Sequence, residues 1–283
     1  MIQKIIPIPL SVRSNYKGYS DLLEIFDCYV ENEAGYQEIV VDFCDNICFD
    51  TNMLPIIGAY VEYGAQNYRI VSRYYNESTS KIHQLFLRNN FIKSCFGGSY
   101  KPLPNETAIS FQVFHPDEVK KFAMYLEAQL MRYFKEMQKA AKRRLIAYMQ
   151  GLFENAREHG ECEKIYTCGQ YFPSMRKMDI SIVNTGTTIK ESVSFSMRRS
   201  MRRLPAHCIE WAIKPEHALS TGLAKVYEFV YHNNGKFQII SGNEFLELNE
   251  QILRMEILDY SFPGTIINFE MDEKDTDYGQ DNL

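Results

Sequence analysis

Three short segments hold the residues best suited to chemistry. In Gly151-Leu-Phe-Glu-Asn-Ala-Arg-Glu-His-Gly160, helical spacing puts Gly151, Asn155 and His159 on one face, four residues apart. Leu152, Phe153 and Ala156 then turn toward a core. Asp179-Ile-Ser-Ile-Val-Asn-Thr-Gly-Thr-Thr-Ile189 reads as a strand running into the turn Asn184-Thr185-Gly186. Ser220–Gly242 opens on Ser-Thr-Gly, continues as a helix over Gly222–Asn233, stops at Asn234-Gly235 and closes with the strand Phe237–Ser241. A helix that starts on such a turn offers free N–H groups and a favourable dipole to an anion. Lys225 is either a phosphate contact or a solvated helix lysine. Between the second and third segments, Ser196–Leu204 gathers Arg198, Arg199, Arg202 and Arg203. These guanidiniums either grip phosphates or a partner, or form a solvated basic helix.

The elements that must position these groups follow from apolar spacing. Thr107–Phe114 alternates as a strand. His115-Pro116-Asp117 starts a helix with Asp117 as N-cap, and Val119, Phe122, Leu126, Leu130, Phe134 and Met137 carry it to about Lys142. A second helix spans about Arg143 to His159, with Lys139–Arg144 as a solvated junction. Strands follow at Ile165–Thr167, Met178–Val183, Phe237–Ser241 and Thr265–Met271. Trp211 and Cys168 read as packing residues. Upstream, the run Glu38–Phe43 is a buried strand, Asn52–Val61 starts a helix, Tyr68–Ser72 is a strand, and Ser80–Asn89 places Ile82, Leu85 and Phe86 at helical spacing. This β-α-β-α rhythm predicts an α/β layer fold. Gly97–Asn105 is rich in turn formers and marks a boundary. The chain therefore divides into domains at 1–100 and 106–272, with an acidic, polar tail at 273–283 expected to be disordered.

Length and composition agree. A chain of 283 residues suits two domains. With 45 % hydrophobic and 24 % charged residues, it needs no metal or disulfide staple to build its cores. A net charge of −5 disfavours a nucleic-acid partner. No apolar run reaches the ~18–20 residues of a membrane span. Pro7 and Pro9 break the apolar start, which lacks a basic leader, so no signal peptide is expected. The seven cysteines are scattered; Cys44 and Cys48 form no CxxC pair, and reduced thiols in a cytoplasm are expected.

Taken together and in order, the three segments resemble the N, G1 and G2 boxes of histidine-kinase-like (GHKL) ATPases, from about His115 to Asp272. The closing Gly264-Thr265 and its strand fit the same family. The resemblance implies a Bergerat-type two-layer α/β sandwich with helices on one sheet face, binding ATP with Mg2+. Asn155 would ligate Mg2+, a hard cation that takes few ligands from protein. His159, Gly186, Thr188, Thr221, Gly222, Leu223, Lys225 and Thr265 would line or shape the nucleotide pocket. Asn184 occupies the place of the family's adenine-binding Asp, and Arg198, Arg199, Arg202 and Arg203 fall in the lid that closes over phosphate.

Several positions depart from that family. Gly151 stands where active members carry a Glu that activates water, and Gly can accept no proton. Glu154 lies about 100° around the helix from Asn155 and is expected to point elsewhere; Glu158 is a poor substitute. Asn184 loses the charge assistance that roughly doubles such a bond. Thr188 replaces a glycine, so its Cβ is expected to crowd the nucleotide.

In the N-terminal half, Ile39–Gly58 resembles the strand, Asp turn and helix start of STAS domains. Asp50 matches the Asp and Thr51 falls at the phosphoacceptor position, although a Thr after Asp also reads as a helix cap. The two resemblances together imply a cytoplasmic regulatory or sensor protein in which Mg-ATP occupancy sets contact with a protein partner; a homodimer is open. One alternative is an anti-sigma-type serine/threonine kinase or slow ATPase. Another is a pseudo-ATPase interaction module, for example in stress or phage defence.

Overall fold

A computed structural model describes residues 2–30, 36–97, 107–217, 221–233 and 235–273. The turn-rich boundary after Gly97 and the tail from residue 274 onward lie outside the described residues, as do Ser220 and Asn234.

The N-terminal half runs β1 (Gln3–Pro7), β2 (Ser11–Val12), α1 (Tyr16–Val30), β3 (Glu38–Asp42), β4 (Cys48–Phe49), a 3-10 turn (Thr51–Met53), α2 (Leu54–Ala65), β5 (Arg69–Arg73), α3 (Lys81–Arg88) and α4 (Phe91–Phe96). The strands β1, β3 and β5 form a parallel sheet in that order, with Ile5, Val40 and Val71 in register. Two right-handed crossovers stepping the same way put α1 and α2 on one face. Leu22, Leu23 and Phe26 of α1 and Ile56, Ile57 and Tyr60 of α2 share a core there with Ile39 and Val41 of β3. On the other face, Glu38 pairs with Arg69 at 3.0 Å, and Asp42 pairs with Arg73. Ser80 caps α3 by accepting from the His83 amide at 3.2 Å.

The C-terminal half runs β6 (Ala108–Phe114), α5 (Val119–Tyr133), α6 (Lys139–His159), β7 (Ile165–Phe172), β8 (Lys177–Thr185), α7 (Ile189–Arg199), α8 (Cys208–Ala212), α9 (Thr221–His232), β9 (Lys236–Asn249) and β10 (Ile252–Asp272). Its five strands pair antiparallel throughout in the order β6-β7-β8-β10-β9. Residues alternate between the two faces of this sheet. Met178, Ile180 and Ile182 of β8 face α5, α6 and α9, meeting Phe122, Leu152, Phe153 and Val226.

Four boundaries differ from the sequence reading. The first long helix ends at Tyr133, because Phe134 leaves helical angles, and the next begins at Lys139. Phe134 and Met137 stay in the core across the break, so apolar spacing runs through it unmarked. The N-cap of α5 is Glu118 rather than Asp117, and the Glu118 carboxylate accepts from the His115 amide at 3.0 Å. The last two strands extend into a long hairpin turning at Glu250-Gln251, both at positive φ. Glu and Gln carry no signature for such a turn. Glu273, assigned to the tail, is buried and accepts from the Glu136 amide at 2.7 Å and from Arg176 at 3.0 Å.

The second face of the five-stranded sheet is also covered. Val183, Ile240, Phe262 and Ile266 lie in one core with α1 and α2. Tyr60 meets Phe262 edge-on at 5.6 Å, and Phe91 meets Phe111 at 5.2 Å. A buried polar seam runs through this contact. Asn268 of β10 accepts from Asn52 at 2.8 Å and Ser181 at 2.9 Å, and donates to Gln238 at 3.1 Å. Gln238 in turn accepts from Tyr19 at 3.1 Å. The chain is a mixed α/β protein in which three-stranded sheet, helices, five-stranded sheet and helices stack as four layers. No helix among the described residues is long and apolar enough to cross a membrane.

Candidate functional site

The site forms where α6, α9 and the end of β8 converge on the helical side of the large sheet. Leu152, Phe153 and Ala156 anchor α6 in the core. The opposite stripe, with Gly151, Asn155 and His159, is thereby left half exposed along a cleft. An inner slot at the end of β8 and β10 is lined by Asn155, His159, Asn184, Leu223 and Thr265, together with Ala212 and Val193 from α8 and α7. It holds about 20 Å3 of free space, room for a single water. It opens into an outer cleft of about 180 Å3, lined by Gly151, Glu154, Asn155, Glu158, His159, Gly222 and Lys225.

Asn184 lies at the buried end of the slot, 2 % exposed, and its Nδ2 has no hydrogen-bond partner among the described residues. A buried amide without a partner is costly, on the order of 1–3 kcal/mol. Beside it, Thr265 and Ser241 share a hydrogen bond of 2.9 Å between their hydroxyls. Ser241 also donates to the Gly264 carbonyl at 2.9 Å and accepts from the Ile189 amide at 2.8 Å. Ser241 thus ties the start of α7 to β10.

The loop after β8 is fixed by backbone geometry. Gly186 has φ +133°, and a Cβ there would stand 2.1 Å from the Gly160 carbonyl oxygen, so only glycine fits. Thr187 donates its amide to that oxygen at 2.8 Å. Thr188, expected to crowd a nucleotide, lines neither slot nor cleft. It is the N-cap of α7 in a capping box: Thr188 Oγ1 accepts from the Glu191 amide at 3.2 Å, and the Glu191 carboxylate accepts from the Thr188 amide at 2.7 Å. These bonds hold the Glu191 carboxyl below its usual range.

Of the residues singled out in the sequence, the structure brings together Asn155, His159, Asn184, Leu223 and Thr265 in the slot, and Gly222 and Lys225 in the cleft. Thr221 begins α9, its side chain lying outside the described residues. Gly186 lies instead in a separate groove with Glu62 and Tyr63 of α2. Glu154, expected to point elsewhere, lines the cleft, as does Glu158. Arg198, Arg199, Arg202 and Arg203 are all exposed and line neither space. Thr51 is fully buried on the far face of the sheet, donating to the Gly169 carbonyl at 2.7 Å. In this arrangement its hydroxyl is closed to a phosphoryl donor. Asp50 beside it accepts from the Ser14 amide and Arg13, both at 2.9 Å.

Ser192, Val193, Ala212 and Ser241 were missed in the sequence reading. Only Ser241 carried a local signal, as the end of a strand before Gly242. Among the described residues no cluster of three or more His, Cys, Asp or Glu is placed to hold a metal. No family model, no curated protein and no solved structure matches this chain.

Proposed function

We propose that this chain is a cytoplasmic regulatory protein that binds a nucleotide with Mg2+ in the slot and cleft, through a GHKL-like C-terminal domain carrying an STAS-like N-terminal module. The observation that carries the reading is the buried Asn184 amide without a partner, at the closed end of a slot that opens onto Asn155, His159 and the start of α9. With the slot widened, a base would lie against Asn184 and Thr265, and phosphates would lie toward Gly222 and Lys225 at the N-terminus of a helix.

Charge favours a metal-bridged phosphate. Glu154 and Glu158 line the cleft with Lys225, and because Arg157 offsets Glu158 in an ion pair of 2.9 Å, Glu154 is the carboxylate that opposes an anion. A bare polyphosphate meets repulsion there, and Mg2+ held by Asn155 would neutralise it. Hydrolysis is not part of the proposal, because Gly151 offers no base.

The slot has room for one water, so entry of a base requires α7 and α8 to move outward. Those helices and the following turn carry Phe195, 71 % exposed, and Met201, 96 % exposed, with four arginines that have no side-chain partner among the described residues. Occupancy would therefore change the surface offered to a partner with acidic groups. Calorimetric titration with ATP and a non-hydrolysable analogue, with and without Mg2+, tests this. Magnesium-dependent binding that weakens at least about tenfold in Asn155→Ala is expected. Absence of heat and of thermal stabilisation at millimolar nucleotide would overturn it.

A further inference from the structure

The proton positions at the buried end of the slot determine what kind of base it accepts. Ser241 has one proton and donates it to the Gly264 carbonyl at 2.9 Å. With that proton so placed, the 2.9 Å bond between Ser241 and Thr265 is donated by Thr265. Thr265 is left with lone pairs to offer and no proton. Ser192, higher in the slot, donates to the His159 carbonyl at 3.3 Å, and Thr187 donates to the Glu161 carboxylate at 3.1 Å. Among the buried side chains lining the slot, the Asn184 amide is the one hydrogen-bond donor left over.

A carboxamide presents a donor and an acceptor side by side, and its O and N exchange places by a half-turn. The Asn184 Nδ2 has no hydrogen-bond partner among the described residues. One orientation complements an amino-purine edge, which offers an N–H beside a ring nitrogen. The other complements an oxo-purine edge, which offers a carbonyl beside a ring N–H. A carboxylate in the same place would accept only, so it would oppose the ring nitrogen of the first edge as it opposes the carbonyl of the second.

We propose that Asn184 makes this pocket tolerant of both amino- and oxo-purine nucleotides, rather than selective for adenine. The proposal rests on the nucleotide reading above. The full chain should be titrated with ATP, GTP and ITP in Mg2+, as wild type, Asn184→Asp and Asn184→Leu. Wild-type affinities for the three should agree within about tenfold, the span of a good bidentate base contact. Asn184→Asp should favour GTP, whose ring N–H and 2-amino N–H both suit a carboxylate, over ATP by at least about tenfold, and Asn184→Leu should weaken all three. A wild-type preference for ATP beyond tenfold overturns the proposal while leaving nucleotide binding intact. So does a folded Asn184→Asp with an unchanged ratio. Wild-type binding of none of the three removes the nucleotide reading and this proposal with it. Should Asn184→Asp fail to fold, the wild-type ratio alone decides.

Discussion

Gly151 of α6 and Gly222 of α9 touch backbone to backbone: a Cβ on Gly222 would lie 2.4 Å from the Gly151 carbonyl oxygen. A Cβ on Gly151 would lie 3.3 Å from the Gly222 Cα. Gly151 is thus part of a close helix crossing that also seats the N-terminus of α9 against the cleft. The two positions respond unequally to a methyl group. Gly222→Ala drives the new atom into a backbone oxygen that cannot rotate away, and should lose about 1–3 kcal/mol in urea denaturation. Gly151→Ala meets a softer contact and gains up to about 1 kcal/mol of helix preference, so it should stay near wild type. Equal losses at both positions would show that the helices do not cross this closely.

Burial also sets a pH dependence. Asp179 of β8 is buried on the N-terminal side of the sheet, and its Oδ1 has no hydrogen-bond partner. Burial first, and the neighbouring Glu270 second, push its carboxyl up to about 8; Asp50 adds to this, while Lys236 and Lys177 pull it back. A carboxyl raised in the folded state binds a proton there that the unfolded chain has released. Its contribution is complete below the ordinary carboxylate range and is lost as pH rises toward about 8. Thermal stability should fall from pH 5 to pH 8.5, and Asp179→Asn should flatten that slope. A slope unchanged in the variant would mean Asp179 is ionised in the native protein. The opposite limb belongs to Asp42, which Arg73 holds down at about 2, so its contribution disappears only in strong acid.

The elements that carry Asn155, His159, Asn184 and Leu223 were legible from their apolar spacing, while the choice of these four residues came from the resemblance of their segments to a family's boxes. Ala212 carried no local signal, because it reaches the slot through tertiary packing alone. The second covered sheet face was hidden for a different reason. Ser181, Gln238 and Asn268 alternate with apolar residues along their strands and read as solvent-facing. They are buried because Asn52 and Tyr19, far away in sequence, supply their partners. Helix α1 escaped notice although Tyr19, Leu22, Leu23 and Phe26 have helical spacing, since nothing local tied that stretch to a strand on either side.

Thr188 separates a structural role from a ligand-binding one. As the N-cap of α7 it satisfies the Glu191 amide, and its own amide is satisfied in return. Its side chain lines neither slot nor cleft. Thr188→Ala should therefore cost about 0.5–2 kcal/mol of stability, and Thr188→Ser much less. Nucleotide affinity, measured on folded protein well below the melting temperature, should change by less than about threefold in both variants, because the lost contact stabilises α7 rather than a ligand. If Thr188→Ala keeps full stability yet weakens binding tenfold, the hydroxyl points into the site when ligand is present. The opening of α7 would then have to include its first turn and the loop from Gly186.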